Sequence, residues 1–169
     1  MHSTLVIRKE RDDDISAVRA VVRAAFGRPE EPALVDALRR ADAITVSAVA
    51  DVGSRIVGHV ALTPVTIDDE HLALALAPVA VEPDWQRQGI GDALIRYALD
   101  ECRRLGHGIV IVLGEPNYYH RFGFTPASDF GIECPFPVPS EAFMVLELSP
   151  GAAAGRRGTV RYRPEFELI

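Results

Sequence analysis

One segment narrows the folds open to this chain more than any other. Residues 77–81 are an apolar run, and Glu82-Pro83-Asp84 is a polar turn. Trp85-Gln86-Arg87-Gln88-Gly89-Ile90-Gly91 then leads through two glycines into a predicted helix over 92–105. Ile90, Leu94, Tyr97, Ala98, Cys102 and Leu105 recur at helical spacing, and Gly106 stands where a C-terminal cap belongs. A strand that passes through glycines into a helix start leaves backbone N–H groups facing outward beside the positive end of the helix dipole. That is an anion site. Gly89 and Gly91 have no Cβ, so a phosphate can approach the backbone closely.

The flanking sequence sets this segment in a mixed sheet. Residues 5–8 read as a first strand. Asp12, Asp13 and Asp14 then supply cap and first-turn acids for a helix to about Phe26, with Ile15, Val18, Val21, Val22, Ala25 and Phe26 on its apolar face. A second helix spans 30–40. Residues 44–51, 56–67 and 72–81 read as three strands joined by Gly53-Ser54 and Asp68-Asp69-Glu70, an antiparallel meander. Residues 109–113 form a short apolar run, consistent with a buried strand, and 117–122 a short helix. Residues 126–139 read as loop and 143–148 as a late strand, while 160–162 and 166–169 are expected to pair at the sheet edge. The strand–helix–strand crossover over 74–113 makes its two strands parallel. The expected class is therefore α/β (α+β), mostly antiparallel with one parallel pair, as a single domain over 1–169.

A second segment completes a pair of motifs. Val112-Leu113-Gly114-Glu115-Pro116-Asn117-Tyr118-Tyr119-His120-Arg121-Phe122-Gly123-Phe124 follows the loop by about thirty residues. Together with Gln86-Arg87-Gln88-Gly89-Ile90-Gly91 it closely resembles the GNAT superfamily of N-acetyltransferases. The resemblance runs from about Leu5 to Leu148. The Leu-Gly-x-Pro-x-Tyr-Tyr-x-Arg-Phe-Gly-Phe form is similar to one bacterial branch of that family. What the resemblance implies is a sheet whose parallel pair splays apart, with the ligand entering the opening. It also implies acetyl-CoA as cosubstrate and no metal.

Each residue then has an expected role. Gln86, Arg87, Gln88, Gly89, Ile90, Gly91 and Asp92 would cradle the pyrophosphate. Val79, Ala80 and Val81 would pair with the pantetheine arm as if it were an added strand. The family's strand bulge implies that the N–H of Val79 or Ala80 polarises the thioester carbonyl, and Pro78 favours such an irregularity. A Tyr hydroxyl is protonated at neutral pH and can serve the leaving thiolate. Tyr119 matches the family position, and Tyr118 is its rival, since adjacent helical residues point about 100° apart. The Asn that many members carry a turn or two earlier is missing, because Asn117 sits too close to the Tyr. Candidate bases are Glu115, His59, His120, Glu31 and Glu30. Glu115 holds the best position, at the end of the strand and before Pro116, although a solvated turn carboxylate would look the same. His120 and Arg121 are alternatively phosphate contacts.

Bulk properties limit the partners. Across 169 residues the net charge is −6, which argues against nucleic acid and weakly favours a cationic amine. No apolar run reaches membrane-spanning length. Two cysteines, Cys102 and Cys134, are too few for a disulfide framework or a metal site, and they fit a reducing cytoplasm. The expected activity is direct acetyl transfer from coenzyme A to a primary amine, by a monomer or homodimer. The competing readings are a non-catalytic acyl-CoA sensor on the same fold, and a superfamily toxin that modifies tRNA or protein.

Overall fold

The computed structural model describes residues 4–169, the side chains at 71 and 72 excepted. The chain gathers into two compact units. The first holds residues 4–62, 77–101 and 164–169, and the second holds 63–76 and 102–163. Two long strands, β3 (Arg55–Ile67) and β4 (Glu70–Val81), contribute residues to both.

In the first unit, β1 (Leu5–Lys9) and β2 (Val46–Val52) lead into β3 as an antiparallel meander, with Leu5 opposite Val52 and Val46 opposite Leu62. Gly53 and Ser54 both take positive φ (59° and 72°), as a tight hairpin with right-handed strand twist requires. Asp68 and Asp69 do the same, at 52° and 67°, between β3 and β4. The predicted helices are α1 (Ile15–Phe26), α2 (Glu30–Arg40) and α3 (Ile90–Arg104). Val18, Val21 and Val22 of α1 pack with Val35 of α2 onto Val49, Ile56 and Ala80 of the sheet. Gly58 is required by close approach: a Cβ there would lie 2.8 Å from Leu94 Cδ1 and 3.3 Å from both Ala50 Cβ and the Ala80 carbonyl oxygen.

The second unit adds β5 (Ile109–Leu113), α4 (Pro116–His120), β6 (Thr125–Pro126), β7 (Ile132–Glu133), β8 (Phe143–Glu147) and β9 (Gly158–Arg161). The crossover does make β4 and β5 parallel, registered at Leu74 with Val110 and Ala75 with Ile111. β8 runs antiparallel to all of β5, and β6 antiparallel to β8. β9 pairs antiparallel with Thr66 and Ile67 of β3 and parallel with β7. The mixed, mostly antiparallel α/β class is the one expected. The core here gathers Ile109, Ile111, Phe143, Val145 and Val160, with Ile132 and Ala127 against them.

Four local expectations are corrected. Residues 126–139 are not all loop: they hold the end of β6, a 3-10 turn at Ala127–Phe130, and β7. Two-residue bridges are too short to leave a periodicity. The C-terminal residues 166–169 do not pair in the sheet; Pro164–Leu168 is a 3-10 turn against α2, with Phe166 7% exposed. Pro164 opens that turn and has no N–H to give a ladder. Asp14 does not cap α1 with its side chain. Its carboxylate instead takes two guanidinium bonds from Arg8 (2.7 and 2.9 Å) and the Arg11 N–H (2.7 Å). Leu105 and Phe26, counted on apolar faces, are exposed because both stand in the last turn or just past the end of their helices.

Candidate functional site

The loop before α3 is held open by its own polar groups. After β4, Pro83–Trp85 makes one 3-10 turn, with Trp85 N–H donating to the Glu82 carbonyl at 2.8 Å. Glu82 accepts from Arg55 at 2.9 Å, and the Arg55 guanidinium lies 6.0 Å from the Trp85 ring centre. The Gln86 side chain folds back to donate to the Val81 carbonyl at 2.9 Å, and Gln88 reaches toward the Asp84 carbonyl at 3.4 Å. Both glutamines therefore brace the turn, which leaves the loop's backbone and the exposed Arg87 to face a ligand. Arg87 and Gly89 take left-handed backbone at φ 62° and 82°. The Gly89 carbonyl accepts the first helical bond from Ala93 at 3.0 Å. The N–H groups of the first turn, beginning at Ile90, then have no helical acceptor. Residues 86–89 are exposed, Ile90 is buried, and Gly91 and Asp92 are half-buried. A Cβ on Gly89 would meet nothing within 4 Å, so the glycine serves conformation and ligand approach rather than packing.

Val79, Ala80 and Val81 are the last three residues of β4, with Ala80 buried and its neighbours half-buried. Glu82 N–H donates to the Val57 carbonyl at 2.9 Å, which fixes this end of β4 against β3. The Ala77–Pro78 peptide is cis. All of these residues, with 86–92, belong to the first unit.

Glu115 and Tyr119 belong to the second. Glu115 precedes α4 and Pro116 is its first residue, the position where a missing N–H costs nothing. Tyr119 N–H donates to the Glu115 carbonyl at 3.1 Å. The Tyr119 ring lies on the bare backbone of Gly114, where a Cβ would sit 2.5 Å from Cε2. Phe124 packs against the ring in a T-shaped contact, ring centres 5.8 Å apart. Tyr118 packs edge-on to Phe122 at 5.4 Å, and the Arg121 guanidinium lies 4.8 Å from its ring centre. Burial raises the Tyr119 hydroxyl above the usual phenol pKa, which keeps it a proton donor at neutral pH. Sequence reading did not single out Gly114, yet the Gly-x-x-x-x-Tyr spacing is its signal.

The alternative bases differ in surroundings. Glu115 is exposed. Glu31 is 4% exposed and is gripped by both arms of the Arg28 guanidinium; Glu30 stands 3.5 Å from Arg28. His120 Nδ1 lies 2.9 Å from the Phe124 carbonyl, an acceptor only, so that nitrogen carries the proton. His59 is fully buried, at 0% exposure. Its Nε2 lies 2.9 Å from Ser47 Oγ, which lies 2.9 Å from a Glu10 carboxylate oxygen. Arg39 forks onto that same carboxylate at 2.8 and 2.9 Å. Burial pushes the Glu10 carboxyl up, but Arg39, His59 and Ser47 outweigh it and hold it below the usual range. Ionised Glu10 only accepts, so Ser47 donates its one proton there and takes the Nε2–H of His59. Burial, opposed by Glu10, lowers the His59 pKa to about 4, so the ring is neutral and its Nδ1 is a buried lone pair with no partner among the described residues. This chain was not foreseen, because its members stand 12 to 37 residues apart.

Among the described residues no three His, Cys, Asp or Glu side chains gather to hold a metal ion, and no helix is long and apolar enough to cross a membrane. Cys102 and Cys134 are not bridged.

Comparison with known proteins supplies the context. A family profile described as "Acetyltransferase (GNAT) domain" matches residues 6–127. The chain is 34% identical over 164 residues to an uncharacterised N-acetyltransferase, YhbS, of Escherichia coli K12, covering 96% of this chain and 98% of that one. It is 38% identical over 134 residues to another, YjhQ, covering 76% and 74%. The crystal structure of E. coli YhbS in complex with CoA superposes with a TM-score of 0.94 at 32% identity, over 98% of this chain and 93% of that one. A GNAT family acetyltransferase from Brucella melitensis, in complex with acetyl-CoA, gives 0.83 at 35% identity, over 98% and 99%.

Proposed function

Because this chain belongs to the GNAT acetyltransferase family, we propose that it is an acetyl-CoA-dependent enzyme that transfers acetyl directly to a primary amine in a ternary complex. The observation that carries this reading is the loop at 86–91, whose two glutamines brace the turn while residues 86–89 stay exposed ahead of α3. The solved relatives bound to CoA and acetyl-CoA support the donor. The domain is a single one over 1–169, consistent with relatives that align from end to end. Its unbridged cysteines suit a reducing cytoplasm.

In this mechanism the neutral amine nitrogen attacks the thioester carbonyl, whose oxygen takes a hydrogen bond from the N–H of Val79 or Ala80. A donor placed where oxyanion charge develops is worth about 3 kcal/mol in comparable sites. The C–N bond forms, the C–S bond breaks, and the departing thiolate takes the Tyr119 proton. Before attack the acceptor's ammonium loses one proton through Glu115 or water, and after it the new amide nitrogen loses a second, which restores the Tyr119 hydroxyl. The rest of the acceleration comes from holding amine and thioester together.

Two measurements test it. Acetyl-CoA at about a hundred times its dissociation constant should add roughly 2.7 kcal/mol to native stability. A panel of amines should then release free CoA thiol, faster as pH rises toward the acceptor's pKa. A stability gain with no thiol release from any amine would leave only an acyl-CoA sensor, and no gain at all would sink both readings.

A further inference from the structure

Resting on the amine-acetylation reading, we propose that a cavity beside Cys134 receives the body of the acceptor, and that the acceptor is a primary amine carried on an apolar, ring-sized group. The second unit carries an open-sided cavity of about 330 Å³. That falls in the range of small-ligand sites, about 300–1,000 Å³. Ile132, Phe136, Val138 and Phe143 supply its apolar wall. Ile132 and Phe143 are 1% and 2% exposed and belong to the hydrophobic core, so that side is a rigid floor. Phe136 is 44% exposed but is backed by the Tyr162 ring at 5.2 Å, and its N–H donates to Cys134 Sγ at 3.5 Å. The wall is therefore formed before any ligand arrives.

The polar lining sets the charge of the guest. Glu133 brings a carboxylate, while no Arg, Lys or His is among the lining residues. Such a wall disfavours an acceptor carrying phosphate or carboxylate and suits a neutral or cationic one. The cavity is also built from the same backbone as the proposed chemistry. Phe143 is the register partner of Leu113, and Gly114 N–H donates to the Ala142 carbonyl at 2.9 Å. The strand end that leads into Glu115 and Tyr119 is thus hydrogen-bonded to the segment that walls the cavity.

Cys134 makes the proposal measurable, with the fully buried Cys102 as the internal reference. N-ethylmaleimide labelling of the full chain is followed by mass spectrometry with phenethylamine, isoamylamine or ethanolamine present. The apolar amines, at ten times their dissociation constants, should slow Cys134 labelling about tenfold, while ethanolamine and acetyl-CoA leave it unchanged. Ser128→Trp places a ring at an exposed lining position and should raise the KM for apolar amines about tenfold, with acetyl-CoA affinity intact. Unchanged labelling with all apolar amines, or an unchanged KM in the variant, overturns the assignment. Protection without CoA release keeps the cavity and sinks the transfer reading. Release without protection does the reverse.

Discussion

The two units use polar groups in opposite ways. The first buries charge: Asp14 takes the Arg8 fork, Glu31 the Arg28 fork, and Arg39, Glu10, Ser47 and His59 form one chain from helix to strand. Among the described residues the second unit buries no charged side chain; its buried polar residue is Thr63. The assignments of function differ in the same way but with the sense reversed. As proposed, the first unit would offer a ligand the loop backbone at residues 86–91, and the second a side chain, Tyr119, packed on Gly114 and Phe124. A backbone site is encoded by what its residues lack, and a side-chain site by what they carry. The two therefore fail under different substitutions.

The largest expected effect strikes the backbone site. Gly89→Glu should weaken acetyl-CoA binding by several kcal/mol through like-charge repulsion, while thermal unfolding stays close to the parent. Gly89→Ala is the control, because it shares the strain of φ 82° without the charge. Equal loss in both variants, read by calorimetry, would mean that loop shape alone matters.

The buried chain comes next. Glu10→Ala strands the Arg39 guanidinium and the Ser47 hydroxyl and should cost about 3 kcal/mol in urea unfolding. A loss under half of that would show the chain to be solvated in solution, and the contrast between the units would weaken.

Tyr119→Phe should lower kcat about 100-fold with little change in acetyl-CoA affinity or stability, since the ring keeps its place on Gly114. If Tyr118→Phe gives the larger loss, the donor is the neighbouring ring and Tyr119 is packing alone.

The smallest effect depends on pH. His59 has a folded pKa of about 4 against 6.5 for an ordinary imidazole, so between these limits the unfolded chain binds more protons. Stability present above pH 6.5 is lost as pH falls, by about 2 kcal/mol from pH 6.5 to 5. The depressed Glu10 carboxyl adds loss of the same sign toward lower pH. His59→Gln should flatten the slope in the upper part of this window. An unchanged slope would remove His59 as its source.

These contrasts also explain how far the sequence could be read. The α2 span and β5 were legible to the residue, because apolar spacing is a local signal and their ends carry turn residues. The loop at 86–91 was legible for the same reason: glycines beside a helix start are read within six positions. The bracing by Gln86 and Gln88 was not, since a polar side chain on a loop looks the same whether it faces a ligand or its own carbonyls. Nor was the chain from Arg39 to His59, which exists only once α2, β2, β3 and the residue after β1 meet. Pro164 sent the C-terminal residues off the sheet, against an apolar pattern too short to separate a strand from a turn.

Gly58 has a consequence beyond packing. The absent Cβ leaves a notch in the strand, and the Leu94 methyl seats in it, hemmed by Ala50 and the Ala80 carbonyl. Leu94 stands one turn inside α3, so the notch indexes the helix against the sheet much as a detent locates a sliding rod. The N–H groups at the helix start inherit that indexing. The placement of the loop is then set partly by a hydrogen atom on a neighbouring strand, thirty-one residues before Gly89 in the sequence.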